Sequence, residues 1–262
     1  MKQTVVLTAK YPEIAREILS GEFDVIEHPT EYSRSEDDVM TILSDADGAI
    51  TLLSDPISGR VLRSNPNLRI VANYAVGYDN VDIAAARELG VTITNTPGVL
   101  TEATADFTMA LILAVTRRLV EGDDEVRTTG RCEWDPLKLL GTSLQGKRLG
   151  IIGMGRIGTA VAERARAFGM EIVYTTRTSG MPLDELLATS DIVSVHTPLT
   201  DATRHIVDVS KMKRGAYVIN TSRGPLVDED ALCDAIENGH LRGAALDVFE
   251  DEPAVNPRLR TM

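Results

Sequence analysis

Short runs of β-branched and aliphatic residues recur along the whole chain: Thr4–Thr8, Phe23–Glu27, Ala49–Leu53, Arg69–Asn73, Val91–Thr94, Arg148–Ile152, Glu171–Thr175, Ile192–His196, Ala216–Asn220 and Ala244–Phe249. Between them lie segments with apolar residues at helical spacing, among them Pro12–Leu19, Ser35–Ser44, Val81–Leu89, Ile157–Phe168 and Asp228–Asn238. A strand followed by a helix, repeated, predicts an α/β protein whose parallel sheets carry helices on both faces. The nearly unbroken apolar run Leu149-Gly150-Ile151-Ile152-Gly153 suits a strand buried on both sides.

The alternation falls into two doubly wound units, 1–97 and 98–262, with the hinge in the turn chemistry of Thr96-Pro97-Gly98. The second unit opens with one long predicted helix, Thr101–Thr128, in which Thr101 and Thr104 are candidate caps. The irregular stretch Arg131-Cys132-Glu133-Trp134-Asp135-Pro136 holds the only tryptophan, which either marks a subunit contact or packs on its own domain.

Composition narrows the function classes. With 39 acidic against 27 basic residues the chain carries −12 at pH 7, which disfavours a general nucleic-acid binder while leaving room for a small basic pocket. The longest uncharged apolar stretch, between Asp106 and Arg117, is far short of the roughly 20 residues of a bilayer span, and no secretory apolar stretch follows the amino terminus. Cys132 and Cys233 form neither a pairing nor a metal-ligand pattern. These features predict a cytoplasmic protein with no membrane partner and no metal.

The most informative segment is Gly153-Met154-Gly155-Arg156-Ile157-Gly158, directly after one predicted strand and opening a helix. In that setting Gly153 permits a tight turn, Gly155 lets the backbone approach a pyrophosphate, and Gly158 lets helix and strand pack closely. The helix amino terminus then faces the phosphates. At the end of the next strand, where an acid would hold a free ribose 2′-hydroxyl, the chain has Thr176-Arg177-Thr178. Two hydroxyls and a guanidinium match a 2′-phosphate, so NADP(H) is preferred and NAD(H) remains possible; Arg177 as a solvated surface charge is the plainer alternative. Arg223, just past the strand Ala216–Asn220, is placed either to enter the ligand crevice or to make a salt bridge. Asp247 reads as a carboxylate within an apolar strand, needing a bound amide or cation, and Glu250, Asp251 and Glu252 read as an acidic loop.

With these segments together the chain resembles the D-isomer-specific 2-hydroxyacid dehydrogenase family, most closely its glyoxylate and hydroxypyruvate reductase branch. The resemblance is carried by Ala72-Asn73-Tyr74-Ala75-Val76-Gly77-Tyr78-Asp79-Asn80-Val81-Asp82, by Asn95-Thr96-Pro97-Gly98-Val99-Leu100-Thr101-Glu102-Ala103-Thr104-Ala105-Asp106, by the glycine turn, by His196-Thr197-Pro198-Leu199-Thr200, and by the segments around Arg223 and Asp247. It implies a flavodoxin-like substrate domain and a Rossmann cofactor domain, usually paired as a homodimer through the latter. It implies hydride transfer from the nicotinamide to a small 2-oxo acid. Arg223 matches the substrate arginine, and Glu252 the glutamate that supports the catalytic histidine. Val76 and Gly77 match the loop holding the substrate carboxylate, with Leu53 and Ser54 in a neighbouring pocket loop. Thr104, Gly153, Met154, Gly155, Arg156, Ile157, Gly158, Thr176, Arg177, Thr178, Thr197, Pro198, Thr221, Ser222 and Asp247 are the implied cofactor contacts.

The chain departs from the family pattern in two places. The histidine expected in a Pro-His-x-Gly segment after one further strand is missing, because the sequence ends at Asn256-Pro257-Arg258-Leu259-Arg260-Thr261-Met262. None of His28, His196, His205 and His240 replaces it by motif. A carboxy-terminal truncation is the expectation, with the first unit lacking its return segment, the second its last strand, and Ala244–Phe249 left as an exposed sheet edge. The connection Thr178–Leu183 is also shorter than in relatives. A non-catalytic nicotinamide-sensing module and an NAD-dependent phosphoglycerate- or lactate-type dehydrogenase are the alternative functions.

Overall fold

The computed structural model describes residues 2–28, 34–131 and 133–262, so Cys132 lies outside the described residues. The chain divides into two compact units, Met1–Val99 and Leu100–Met262. The first contains β1 (Thr4–Leu7), α1 (Glu13–Ser20), β2 (Asp24–Glu27), α2 (Glu36–Ile42), β3 (Gly48–Thr51), α3 (Gly59–Ser64), β4 (Ile70–Asn73), α4 (Ile83–Leu89) and β5 (Thr92–Thr94). Its five strands are parallel in the order β2-β1-β3-β4-β5. The strand order reverses between β1 and β3, the point at which ligands settle in such sheets. Local chemistry sets the helix starts: Ser35 and Asp38 form a reciprocal capping box on α2, and the Asp82 side chain caps α4. The helix α3 was not evident from the sequence because it is only six residues long and opens on glycine.

The second unit contains α5 (Thr101–Thr116), α6 (Leu119–Thr129), β6 (Arg148–Ile152), α7 (Arg156–Ala167), β7 (Glu171–Thr175), α8 (Leu183–Thr189), β8 (Ile192–Val195), β9 (Tyr217–Asn220), α9 (Glu229–Glu237) and β10 (Gly243–Leu246). Its strands are parallel in the order β10-β9-β8-β6-β7, with the reversal between β6 and β8. Leu149, Ile151, Ile152, Ile192 and Ile219 are fully buried, and each such side chain contributes about 1.5–3 kcal/mol by leaving water.

Three expectations need correction. The long helix is two helices, because the buried Thr116 hydroxyl bonds back to the Ile112 carbonyl at 2.6 Å while Thr142 N–H takes the Thr116 carbonyl at 2.7 Å. The chain then turns at Arg118, whose φ is 51°. Neither Thr101 nor Thr104 caps the first of them: Leu100 occupies the cap position and no side chain bonds there. Asp247 is exposed and lies one residue past β10, so no carboxylate is stranded inside that strand. The last strand stops at Leu246 and, pairing only with β9, lies at the edge of the sheet with its residues half-buried. Alongside it, Leu111, Val115, Ile236, Leu259 and Met262 line an apolar cavity of about 620 Å³. Trp134, by contrast, is 89% exposed and does not pack into its own domain.

Candidate functional site

In the second unit the carboxyl ends of β6 and β8 carry the glycine turn and His196. Gly153 adopts φ +100°, a conformation L side chains rarely take, and a Cβ there would strike the His196 carbonyl. A Cβ on Gly158 would be driven into the carbonyl oxygen of Gly153. Gly155 is different: a Cβ would meet nothing within 4 Å, so this residue leaves open space where a ligand's phosphates would lie. It is also the cap residue of α7, and no side chain caps that helix, which leaves its first N–H groups to an anion. The residues present therefore fit a dinucleotide. Met154 and Ile157 pack against the core under the turn, and Arg156 starts the helix.

Beyond β7 the ribose-end segment is a tight turn. Thr176 N–H donates to the Ser179 carbonyl at 2.8 Å, and the Thr176 hydroxyl oxygen accepts from Thr178 N–H at 3.3 Å and Ser179 N–H at 3.0 Å. Arg177 stands exposed at its tip and, among the described residues, makes no ion pair. Beyond β8, Thr197 N–H lies against Gly153, and the Pro198 carbonyl accepts from the Thr203 hydroxyl at 2.8 Å. His196 hydrogen-bonds Ser194 Oγ through Nε2 at 2.9 Å, and burial pushes its imidazole down to about 4, so the ring is neutral at pH 7.

The end of β9 gathers the remaining predicted groups of this unit. Thr221 Oγ1 lies 3.0 Å from Thr108 Oγ1, one helical turn after Thr104 on α5. Sequence reasoning missed Thr108; its signal was a second hydroxyl four residues along a helix, buried among apolar neighbours. Ser222 N–H donates to Asn220 Oδ1 at 3.1 Å, and Asn220 Nδ2 donates to the Arg223 carbonyl at 2.8 Å, which fixes the main chain at the arginine. Arg223 is half-buried and donates from Nη1 to the Ser222 carbonyl at 2.7 Å. Gly224 is pressed on the Phe249–Glu250 backbone with no room for a Cβ, so the arginine loop and the acidic loop are held together.

Glu252 turns back on its own loop, accepting from Phe249 N–H at 2.8 Å. The histidine–glutamate pair that does form joins His205 Nε2 to Glu250 Oε1 at 2.6 Å. Glu250 N–H in turn donates to Glu229 Oε1 at 2.7 Å. Burial raises the Glu229 carboxyl above its ordinary range, consistent with a clasp between α9 and the acidic loop. No metal-ligand cluster occurs among the described residues.

In the first unit, the predicted substrate loops leave the carboxyl ends of adjacent strands. Leu53 and Ser54 follow β3, and Val76 and Gly77 follow β4. The Val76 carbonyl accepts from Asn95 Nδ2 at 2.8 Å and the Gly77 carbonyl from Asn73 Nδ2 at 2.9 Å. Asp55, only 1% exposed, accepts from the Thr8 hydroxyl at 2.5 Å and from Leu52 N–H at 2.8 Å, with Arg34 Nη1 3.6 Å away.

A family model, D-isomer specific 2-hydroxyacid dehydrogenase, NAD binding domain, matches residues 109–262. The chain belongs to the D-isomer specific 2-hydroxyacid dehydrogenase family. It is thus an oxidoreductase whose second unit is a nicotinamide-cofactor domain. Among its relatives, the glyoxylate reductase of Aeropyrum pernix is 47% identical over 94% of this chain and 78% of the relative. That of Korarchaeum cryptofilum is 44% identical over 97% and 81%. Of solved structures, a Thermus thermophilus protein superposes with a TM-score of 0.90 at 44% identity, covering 99% of this chain and 86% of that one. An NADPH-dependent glyoxylate/hydroxypyruvate reductase from Sinorhizobium meliloti, solved with NADP and malonate, gives 0.86 at 34% identity, covering 100% and 84%. No helix among the described residues is long and apolar enough to cross a membrane.

Proposed function

We propose that this dehydrogenase reduces a small 2-oxo acid, glyoxylate or hydroxypyruvate, with NADPH in preference to NADH. The observation that carries the reading is the turn after β6, where Gly153 and Gly158 admit no side chain and Gly155 faces open space at an uncapped helix start. The glyoxylate reductases among its relatives, and the reductase solved with NADP, support the substrate and cofactor class. Gly153 to Gly158, Thr104, Thr197, Pro198, Thr221, Ser222 and Asp247 line the cofactor, while Thr176, Arg177 and Thr178 hold its 2′-phosphate. Bound there, the reduced nicotinamide supplies a hydride.

The remaining work falls to this chain's own groups. In the second unit, the Arg223 guanidinium offers two parallel donors to the carboxylate and carbonyl of a 2-oxo acid. In the first unit, the N–H groups around Val76 and Gly77 and around Leu53 and Ser54 are the donors suited to a carboxylate. Glu252, which accepts from Phe249 N–H, is the carboxylate suited to orient a proton donor toward the carbonyl oxygen. The same reading makes the protein a cytosolic homodimer, a state supported by the exposed apolar side chains Leu119, Val120, Trp134 and Leu137 on and after α6.

Nucleotide fluorescence titration and glyoxylate-dependent NADPH oxidation test this reading. NADPH binds more tightly than NADH, Arg177→Gln weakens NADPH by about tenfold while leaving NADH unchanged, and oxidation requires glyoxylate. Absence of nucleotide binding overturns the proposal.

A further inference from the structure

We infer that Asn80, working through Asn73, is a positioning residue that fixes the distance and aim of the two substrate loops; this rests on the function proposed above. The β3–β4 ladder ends at the pair Thr51 and Asn73, with one last rung from Tyr74 N–H to the Thr51 carbonyl at 2.8 Å. Past that rung, main-chain pairing no longer joins the two strand ends directly, and side-chain amides take over. Asn80 Nδ2 reaches the Leu52 carbonyl at 3.1 Å and the Asp55 carbonyl at 2.9 Å, bracketing the first loop. Asn73 Nδ2 reaches the Gly77 carbonyl at 2.9 Å in the second loop and Asn80 Oδ1 at 3.2 Å. Asn73 Oδ1 accepts from the Thr51 hydroxyl at 3.2 Å.

One orientation of both amides satisfies all of these contacts: Asn73 Nδ2 has two acceptors, and Asn80 Nδ2 shares its two hydrogens among the Leu52 carbonyl, the Asp55 carbonyl and, at 3.2 Å, Asn73 Oδ1. Reversing the Asn80 amide would set its oxygen against two carbonyls. The clamp is itself anchored, since the Asn80 carbonyl accepts from Ile57 N–H at 2.8 Å. Asn73 is 1% exposed, where a lost partner is costly.

The consequence for a ligand follows from peptide planarity. A trans peptide points its C=O and the following N–H in opposite directions. Holding the Leu52 carbonyl on Asn80 therefore aims Leu53 N–H away from the clamp. Holding the Val76 and Gly77 carbonyls on Asn95 and Asn73 does the same for Gly77 and Tyr78 N–H. The amide pair thus sets the separation of two groups of donors suited to one carboxylate.

The test is calorimetric titration of the full chain, saturated with NADPH, with oxalate as an unreactive mimic of a 2-oxo acid. Asn80→Asp, which turns a carboxylate toward two carbonyls, weakens oxalate by about tenfold or more, with NADPH affinity unchanged. Asn80→Ala, which removes the donor without adding charge, weakens oxalate likewise and serves where the carboxylate prevents folding. Asn65→Ala is the matched control: Asn65 Nδ2 also holds two carbonyls, those of Leu43 at 2.6 Å and Ala46 at 2.8 Å, in the same unit. It lowers the melting temperature and leaves oxalate affinity intact. The inference fails if the Asn80 variants keep wild-type affinity, or if Asn65→Ala weakens oxalate equally. If the wild-type chain binds NADPH but no oxalate, the substrate reading itself falls and the inference with it.

Discussion

At the carboxyl ends of β6 and β8 the decisive feature is missing atoms: Gly153 and Gly158 have no side chain because backbone carbonyls occupy the space. At the carboxyl ends of β3 and β4 the decisive feature is added atoms, the amides of Asn73, Asn80 and Asn95 and the buried carboxylate of Asp55, each holding a main-chain group. Both units use the same parallel sheet and the same kind of crevice. A phosphate-binding turn must bring bare backbone close to its ligand, so side chains are excluded. Loops that must keep a set spacing beyond the end of a ladder need polar side chains to replace its lost rungs. The first arrangement is unforgiving to any added atom, whereas the second weakens in steps as single bonds are removed.

Gly158→Ala tests the first half of that contrast and has the largest expected effect. The new methyl group collides with the Gly153 carbonyl, and neither backbone can move without displacing α7 from β6. Loss of about 3 kcal/mol or more of stability, and of NADPH affinity by about a hundredfold, is expected from thermal melts and fluorescence titration. Wild-type NADPH binding by this variant would show that the turn is not the cofactor cradle.

Asp55→Asn tests the other half. It leaves the Thr8 and Leu52 contacts in place but deprives Arg34, whose side chain is 9% exposed, of its buried counter-charge. Breaking such a pair from one side costs about 3 kcal/mol, and the cost belongs to the first unit. Hydrogen exchange should show β1, β3 and β4 losing protection while β6 and β8 keep theirs. Equal loss in both units would erase the distinction between them.

The smallest expected effect at neutral pH is a pH dependence belonging to the second crevice, felt only on acidification. His196 is held at about 4 in the folded chain, below its ordinary value of 6.5, by burial. The unfolded chain therefore takes up the proton first as pH falls. Stability from keeping this ring neutral is complete above about pH 6.5 and is lost progressively toward pH 4. Melting temperatures of His196→Asn should fall less steeply than wild type across that window; parallel curves would show that the ring is not the group concerned.

The match between sequence and structure is uneven in an instructive way. The ten strands among the described residues were all legible to within a few residues at each end, because β-branched runs flanked by turn residues are a local signal. The helix misread as continuous has no proline at its break; the interruption comes from Thr142, far along the chain, bonding Thr116. Asp247 was misplaced because the apolar run Val248-Phe249 continues past the end of β9's partner strand, where pairing has already stopped. The glycine turn was legible because its requirement is negative: no side chain fits, so the residue type itself records the constraint.

The amino-acid order alone determined the alternation of strands and helices, the position of the glycine turn and the absence of an acid at the ribose end. These are properties of residue type and spacing, read within a few neighbours. Only the tertiary structure decided that Asn73, Asn80 and Asn95 brace two loops, that Thr108 meets Thr221, and that His205 joins Glu250 rather than Glu252. Hydrogen bonds between residues distant in the chain depend on where strand ends come to lie side by side, and an asparagine in a loop looks the same whether or not a carbonyl waits 3 Å away.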